Sequence, residues 1–152
     1  MRLVAASIDI QTKPDRILQA FLRQEHLRKW WGVSRSLIEP KAGGLYTLAW
    51  EISEQGIKYV SSGIIAELIP SEYLMIRNFV YLNAEKQILG PMELEIDLLV
   101  ADENTTKVGI VQSGYQFGGD WDWYYNAVVQ AWPQTLELLM NYLTPQKSST
   151  KQ

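Results

Sequence analysis

The sequence predicts an α+β fold: one curved antiparallel β-sheet, two short helices after the first strand, and a long helix at the C-terminal end. Two observations support this prediction. Segments with the two-residue period of strands follow one another through short connections, and a parallel neighbour would need a crossover of a dozen or more residues. Helical patterns, in contrast, lie near the start and at the end of the chain.

Length and composition favour one domain with a substantial core. The chain has 152 residues, of which 47% are hydrophobic and 20% are charged, which excludes the disordered and coiled-coil classes. We expect residues 1–145 to form the domain and residues 146–152 to form a flexible tail. The formal net charge is -3 and the 14 lysines and arginines are scattered, so nucleic-acid binding is not predicted.

Other classes of site and segment are also disfavoured. The chain contains no cysteine, which excludes disulfides, thiolate metal sites and a cysteine nucleophile. With one histidine, His26, and no HExxH spacing, we predict neither a metal nor a cofactor. Neither a signal peptide nor a membrane span is expected. We therefore expect a cytoplasmic protein.

The first part of the chain predicts a strand and two short helices. Residues 2–11 alternate loosely and are rich in β-branched side chains, which is typical of strands. Thr12 is the predicted cap of the first helix, because Pro14 falls in the first turn. A second helix is predicted from Glu25 to Trp31, and it ends at Gly32.

After Gly32, apolar residues recur at every second position, which predicts strands at residues 44–52, 58–69, 73–81, 92–100 and 107–114. In the fourth of these strands acidic residues alternate with apolar ones, so one side of that strand faces water. The predicted core-facing residues are Tyr46, Leu48, Trp50 and Ile52, then Leu74, Ile76, Asn78 and Val80, then Met92, Leu94, Ile96, Leu98 and Val100, and finally Val108, Ile110 and Gln112.

The last helix is predicted to lie across the concave face of this sheet. A helix of about 20 residues is about 30 Å long, which is enough to cross a sheet of this size. Asp120 is its predicted N-cap, after two glycines. The apolar face consists of Tyr125, Val128, Val129, Trp132, Leu136, Leu139, Met140 and Leu143.

Pro133 falls in the middle of this helix, where a proline removes a backbone donor and costs about 3 kcal/mol. Two interpretations are open. The helix bends at Pro133 and follows the curved sheet, an interpretation favoured by the apolar stripe, which continues in phase across the proline. Alternatively, Pro133 begins a new helix in its first turn.

Five segments follow one another in the chain: HLRKWWG (26–32), PKAGGLYTLAW (40–50), GIIAELIPSEYL (63–74), TKVGIVQSG (106–114) and AWPQTLELLMNYL (131–143). In this order they resemble the helix-grip fold of the birch-pollen-allergen and START-like (SRPBCC) superfamily. Within it they resemble the branch named for activators of the heat-shock protein 90 ATPase. The resemblance implies a cavity between the sheet and the long helix, where superfamily members bind apolar or amphipathic molecules. Some members are enzymes, such as cyclases and aromatases.

Several side chains are candidates for the wall of such a cavity. Asn78 and Gln112 share a predicted face with core residues, and a buried amide without a partner costs on the order of 1–3 kcal/mol. They either bond each other, a tyrosine hydroxyl or buried water, or they fix the polar end of a ligand. Trp30 and Trp31 either form an aromatic lid or pack the short helix onto the sheet. The predicted ligand-binding residues are Trp30, Tyr46, Leu48, Trp50, Asn78, Gln112, Tyr125, Val129 and Trp132.

The predicted function is binding of a small hydrophobic or amphipathic molecule, without catalysis, because no acid, base and nucleophile converge. His26 is interpreted as a surface histidine, and Asp120 with Asp122 as a helix cap and a first-turn acid. One alternative function is an interaction module for the chaperone heat-shock protein 90. Another is a cyclase- or aromatase-like enzyme acting on an aromatic or polyketide-like substrate. The chain is expected to be a monomer, or a homodimer formed through an exposed Leu99 or Trp121.

Overall fold

A computed structural model describes residues 2–144, which form a seven-stranded antiparallel sheet and three helices. The predicted tail at residues 146–152 lies outside the described residues. The strands are β1 (Arg2–Ile10), β2 (Arg35–Ile38), β3 (Leu45–Ser53), β4 (Gly56–Ile69), β5 (Tyr73–Asn83), β6 (Leu89–Asp102) and β7 (Thr105–Tyr115). The helices are α1 (Pro14–Leu22), α2 (Gln24–Trp30) and α3 (Gly119–Leu143).

The strand order is β1-β7-β6-β5-β4-β3-β2, so consecutive strands from β2 to β7 pair as hairpins and β1 returns to pair with β7. The curved sheet grips α3 on its concave face, which confirms the predicted helix-grip α+β fold. The short strand β2 pairs with β3 and was not predicted. Among residues 2–144, no helix has the length and apolar character needed to cross a membrane.

The helix α3 packs most closely against β1 and also meets α1, α2 and β7. The predicted apolar face is correct in the second half of the helix, but in the first half the buried positions differ. Trp121 and Tyr124 face the sheet there, whereas Val129 is 37% exposed. Because Trp121 is only 6% exposed, it cannot serve as the surface contact of a dimer, whereas Leu99 is 65% exposed.

The helix runs without interruption through Pro133, so the interpretation that this proline begins a new helix is wrong. Pro133 is exposed, and it has no N–H for the carbonyl of Val129 to accept from. The bend at Pro133 stays a prediction.

The strand β5 does not keep its two-residue alternation. Its pairing with β6 is irregular between Ile76 and Phe79, and Asn78 there has φ 51°. Such a bulge reverses the facing of the residues that follow it, and asparagine tolerates the left-handed conformation better than most residues. Phe79 is therefore buried and Asn78 is exposed, so the prediction that Asn78 and Val80 face the core is wrong.

The predicted caps also differ from the structure. Lys13 is the N-cap of α1, and the buried Thr12 uses its carbonyl to accept a hydrogen bond from Thr106 Oγ1 at 2.9 Å. Gly118 is the N-cap of α3, with φ 91°, which a residue with a side chain rarely adopts. Asp120 therefore lies in the first turn instead of at the cap.

Candidate functional site

A cavity of about 320 Å³ lies between the sheet and α3. We refer to it as the aromatic cavity, because seven of its thirteen wall residues are aromatic and none is charged. The aromatic wall residues are Trp31, Trp50, Tyr59, Phe79, Tyr81, Tyr124 and Trp132. The others are Leu48, Ser61, Gln112, Val128, Ala131 and Thr135.

The sheet wall follows from strand register. Leu48 of β3 lies opposite Ser61 of β4, and Ser61 lies opposite Tyr81 of β5, so the three form one cross-strand row on the concave face. In the next row Trp50 lies opposite Tyr59. Ser61 is buried and small, and its position between larger neighbours leaves room above the sheet.

Contacts between aromatic rings fix the orientations of the side chains in the wall. Trp31 contacts Trp50 edge to face with 5.5 Å between ring centroids, and it tilts against Trp132 at 5.6 Å. On the opposite side, Tyr81 stacks on Tyr124 at 4.6 Å. Offset-stacked and edge-to-face arrangements are the preferred geometries of aromatic pairs. These contacts therefore hold the rings in fixed orientations, so that their flat faces form parts of the wall.

A chain of hydrogen bonds crosses the polar part of the wall. Trp132 Nε1 donates to Gln112 Oε1 at 2.9 Å, and Gln112 Nε2 donates to the Tyr124 hydroxyl at 3.1 Å. Gln112 thus bonds a tyrosine hydroxyl, which is one of its predicted partners, and it also lines the cavity. Burial raises the pKa of Tyr124 above the ordinary tyrosine value, although the bond from Gln112 acts in the opposite direction, so the phenol is neutral at physiological pH.

Of the nine predicted ligand-binding residues, the structure places four in the cavity wall: Leu48, Trp50, Gln112 and Trp132. Tyr46 and Trp30 lie deeper, where each bonds the α1 region. The Tyr46 hydroxyl donates to the Phe21 carbonyl at 2.7 Å, and Trp30 Nε1 donates to the Ala20 carbonyl at 2.8 Å. Their polar atoms are therefore used within the fold.

The remaining three predicted residues lie outside the wall. Asn78 is exposed beside the β5 bulge, and Val129 faces away from the sheet on α3. Tyr125 packs edge to face on Tyr115 at 5.2 Å, and the guanidinium of Arg2 lies over its ring at 4.5 Å. It joins the start of α3 to β1 and β7.

Sequence reasoning missed several wall residues for which a signal existed. Trp31 is predicted to form a lid or to pack the short helix onto the sheet, and it is the half-buried one of the two neighbouring tryptophans. Tyr59 and Ser61 share the phase of alternation in β4. Tyr124 lies eight residues before Trp132, close to two helical turns, and therefore projects from the same face of α3.

The acidic residues at the start of α3 are bound within the fold. The Asp122 carboxylate accepts from the Gly118 N–H at 3.0 Å and lies 2.9 Å from an Arg2 nitrogen, and these contacts lower the pKa of Asp122. The Asp120 carboxylate accepts from the Gln87 N–H at 2.9 Å. Elsewhere, His26 Nδ1 lies 2.7 Å from the Tyr142 hydroxyl and joins α2 to α3. None of these groups lines the aromatic cavity.

The family model described as "Activator of Hsp90 ATPase homolog 1-like protein" matches residues 11–144. No curated protein matches the chain. Solved structures share the fold at low sequence identity. The solution structure of the Aha1 dimer from Colwellia psychrerythraea is 20% identical, with a TM-score of 0.69 over 94% of this chain and 96% of that one.

Two further structures extend the comparison. Protein CV1439 from Chromobacterium violaceum is 22% identical, with a TM-score of 0.72 over 96% of this chain and 100% of its own. CalU16 from Micromonospora echinospora is 15% identical, with a TM-score of 0.67 over 95% of this chain and 77% of its own. At these identities the likeness concerns the fold.

Proposed function

This chain belongs to the Activator of Hsp90 ATPase homolog 1-like protein family, and on that premise we propose that it is a cytoplasmic domain that binds one small apolar or amphipathic molecule in the aromatic cavity. The observation that carries the proposal is the uncharged, mostly aromatic wall around about 320 Å³. Ligand sites usually enclose about 300–1,000 Å³ and combine apolar walls with a few placed polar groups.

The wall chemistry favours a neutral ligand. A charged ligand would lose its hydration on entry and would find no opposite charge among the wall residues, which costs far more than burying a neutral group. Binding is also favoured over turnover. Acid–base catalysis needs groups whose pKa lies near the working pH, whereas burial raises the pKa of Tyr124 away from it.

A cavity-filling variant tests the proposal. Ser61→Leu places a larger side chain in the middle of the cross-strand row, and we expect it to weaken binding of the neutral fluorescent dye N-phenyl-1-naphthylamine at least tenfold. Ser7→Leu is the control, because Ser7 is exposed on β1 and outside the wall. Native mass spectrometry of freshly purified wild-type protein would reveal a bound metabolite of fixed mass. Absence of dye binding by the wild type would overturn the proposal.

The family description favours contact with a chaperone as a second candidate function. Such contact would use the outer surface, so Ser61→Leu should leave it unchanged. The measurement is ATP hydrolysis by purified heat-shock protein 90 with each variant. Stimulation that persists in Ser61→Leu would support this second function, and no stimulation by the wild type would exclude it.

A further inference from the structure

Trp132 fixes the direction of the hydrogen-bond chain in the aromatic cavity. The indole N–H can only donate, so the Gln112 atom 2.9 Å from it is the amide oxygen. The amide nitrogen of Gln112 then points at Tyr124, with 3.1 Å between the two atoms. Because an amide nitrogen can only donate, the Tyr124 oxygen is the acceptor in this bond.

The proton of the Tyr124 hydroxyl is therefore free to donate to another group. Among residues 2–144, the only hydrogen bond of this hydroxyl is the one that it accepts from Gln112. The buried hydroxyl of Tyr115, whose ring centroid lies 5.9 Å from that of Tyr124, has no hydrogen-bond partner in that range of residues. A buried donor without an acceptor is costly, and a ligand that supplies an acceptor removes this cost.

The surroundings of Tyr124 specify the acceptor. A carboxylate or phosphate could accept the proton, but no wall residue carries a positive charge to offset its burial. A neutral carbonyl oxygen also accepts the proton, and it loses much less hydration free energy when it is buried. The body of the ligand would lie between the flat surfaces formed by Tyr81 with Tyr124 and by Trp31 with Trp50, and an aromatic ring fits such surfaces best.

We propose that the ligand of the aromatic cavity is a neutral aromatic carbonyl compound whose carbonyl oxygen accepts a hydrogen bond from Tyr124. Gln112 and Trp132 act as positioning residues, because they fix the direction of the Tyr124 proton. This inference rests on the proposed function and specifies the chemical class of the ligand.

Two probes of nearly equal shape test the inference. 2-Acetylnaphthalene carries the carbonyl acceptor, and 2-isopropylnaphthalene replaces that carbonyl with a methine and a methyl group. Loss of one net hydrogen bond predicts that Tyr124→Phe weakens binding of the ketone about five- to tenfold. It should change the dissociation constant of the hydrocarbon less than about twofold. Tyr125→Phe is the matched control, since Tyr125 lies on the same helix as Tyr124 but outside the cavity wall.

A spectroscopic measurement separates hydrogen bonding from a general loss of structure. The infrared carbonyl stretch of ¹³C-labelled 2-acetylnaphthalene should lie lower when bound to the wild type than when bound to Tyr124→Phe. Binding of the hydrocarbon to the variant also shows that the variant is folded.

The outcomes distinguish this inference from the proposed function. A selective loss of ketone binding with an upward shift of the carbonyl stretch supports the inference. Equal effects on both probes, or an unchanged stretch, overturn it and leave the cavity as a binding site. If neither probe binds the wild type but N-phenyl-1-naphthylamine does, only the carbonyl inference fails. If all three fail to bind, both proposals fail.

Discussion

Tyr46 and Tyr124 are both buried tyrosines on the concave side, but their hydroxyl protons are used differently. Tyr46 donates to the Phe21 carbonyl and so fastens the end of α1 to β3, whereas Tyr124 accepts a bond and keeps its proton available. Burial raises the pKa of both side chains, which keeps both as neutral donors. Tyr46 therefore supports the fold, and Tyr124 is available to a ligand.

This difference predicts the behaviour of Tyr46→Phe. Removing the hydroxyl leaves the Phe21 carbonyl without its buried donor, so the free energy of unfolding should fall by about 1–3 kcal/mol. Urea denaturation measures this loss. Affinity for N-phenyl-1-naphthylamine should stay within about twofold, because Tyr46 is outside the cavity wall. A large loss of affinity with unchanged stability would instead make Tyr46 a ligand contact.

At the residue scale, the sequence predicts on which face of the sheet a side chain lies, but it does not predict where the aromatic cavity lies. Alternation correctly placed Tyr46, Leu48 and Gln112 on the concave face. The aromatic cavity is lined by a row that contains one small residue, Ser61, and the register of that row involves three strands. That register is set by long-range pairing, which a single strand pattern does not contain.

At the element scale, the helix α3 and the strand β5 each depart from the ideal in one place. The bulge in β5 reverses the facing of Asn78 and Phe79, because an extra residue shifts every later position to the opposite face. No pattern in residues 73–81 revealed the bulge, because both sets of alternate positions in this segment are mostly apolar. In α3 the irregularity is Pro133, which can be read from the sequence itself.

Pro133→Ala tests how the helix tolerates that proline. Alanine restores the N–H that bonds the Val129 carbonyl, and Pro133 is exposed, so the change leaves no cavity. We expect the free energy of unfolding to rise by about 1–3 kcal/mol, measured by urea denaturation. The neighbouring exposed Gln134→Ala is the control and should change stability by less than about 0.5 kcal/mol. No gain in stability would mean that the structure around α3 requires the proline.

At the scale of the whole molecule, the fold depends on contact between α3 and the concave sheet. The sequence predicted this arrangement, because the strands and the last helix both carry periodic apolar residues. It did not predict how closely they approach. The helix packs most closely against β1, and the aromatic cavity lies between α3 and strands β3, β4, β5 and β7. The molecule is therefore expected to tolerate changes at the cavity better than changes in the packed part.

Two leucines on α3 test the packed contact between the helix and the sheet. Leu136 is 1% exposed and packs in the core, whereas Leu138, two residues later, is 52% exposed. Leu136→Ala removes buried methyl groups and leaves a void, so the free energy of unfolding should fall by about 2–5 kcal/mol. Leu138→Ala should change it by less than about 0.5 kcal/mol, since that side chain is largely hydrated in the folded state. Urea denaturation of both variants measures the difference. Equal losses would mean that α3 meets the sheet through a different face, which would displace Gln112, Tyr124 and Trp132 from the arrangement on which ligand binding depends.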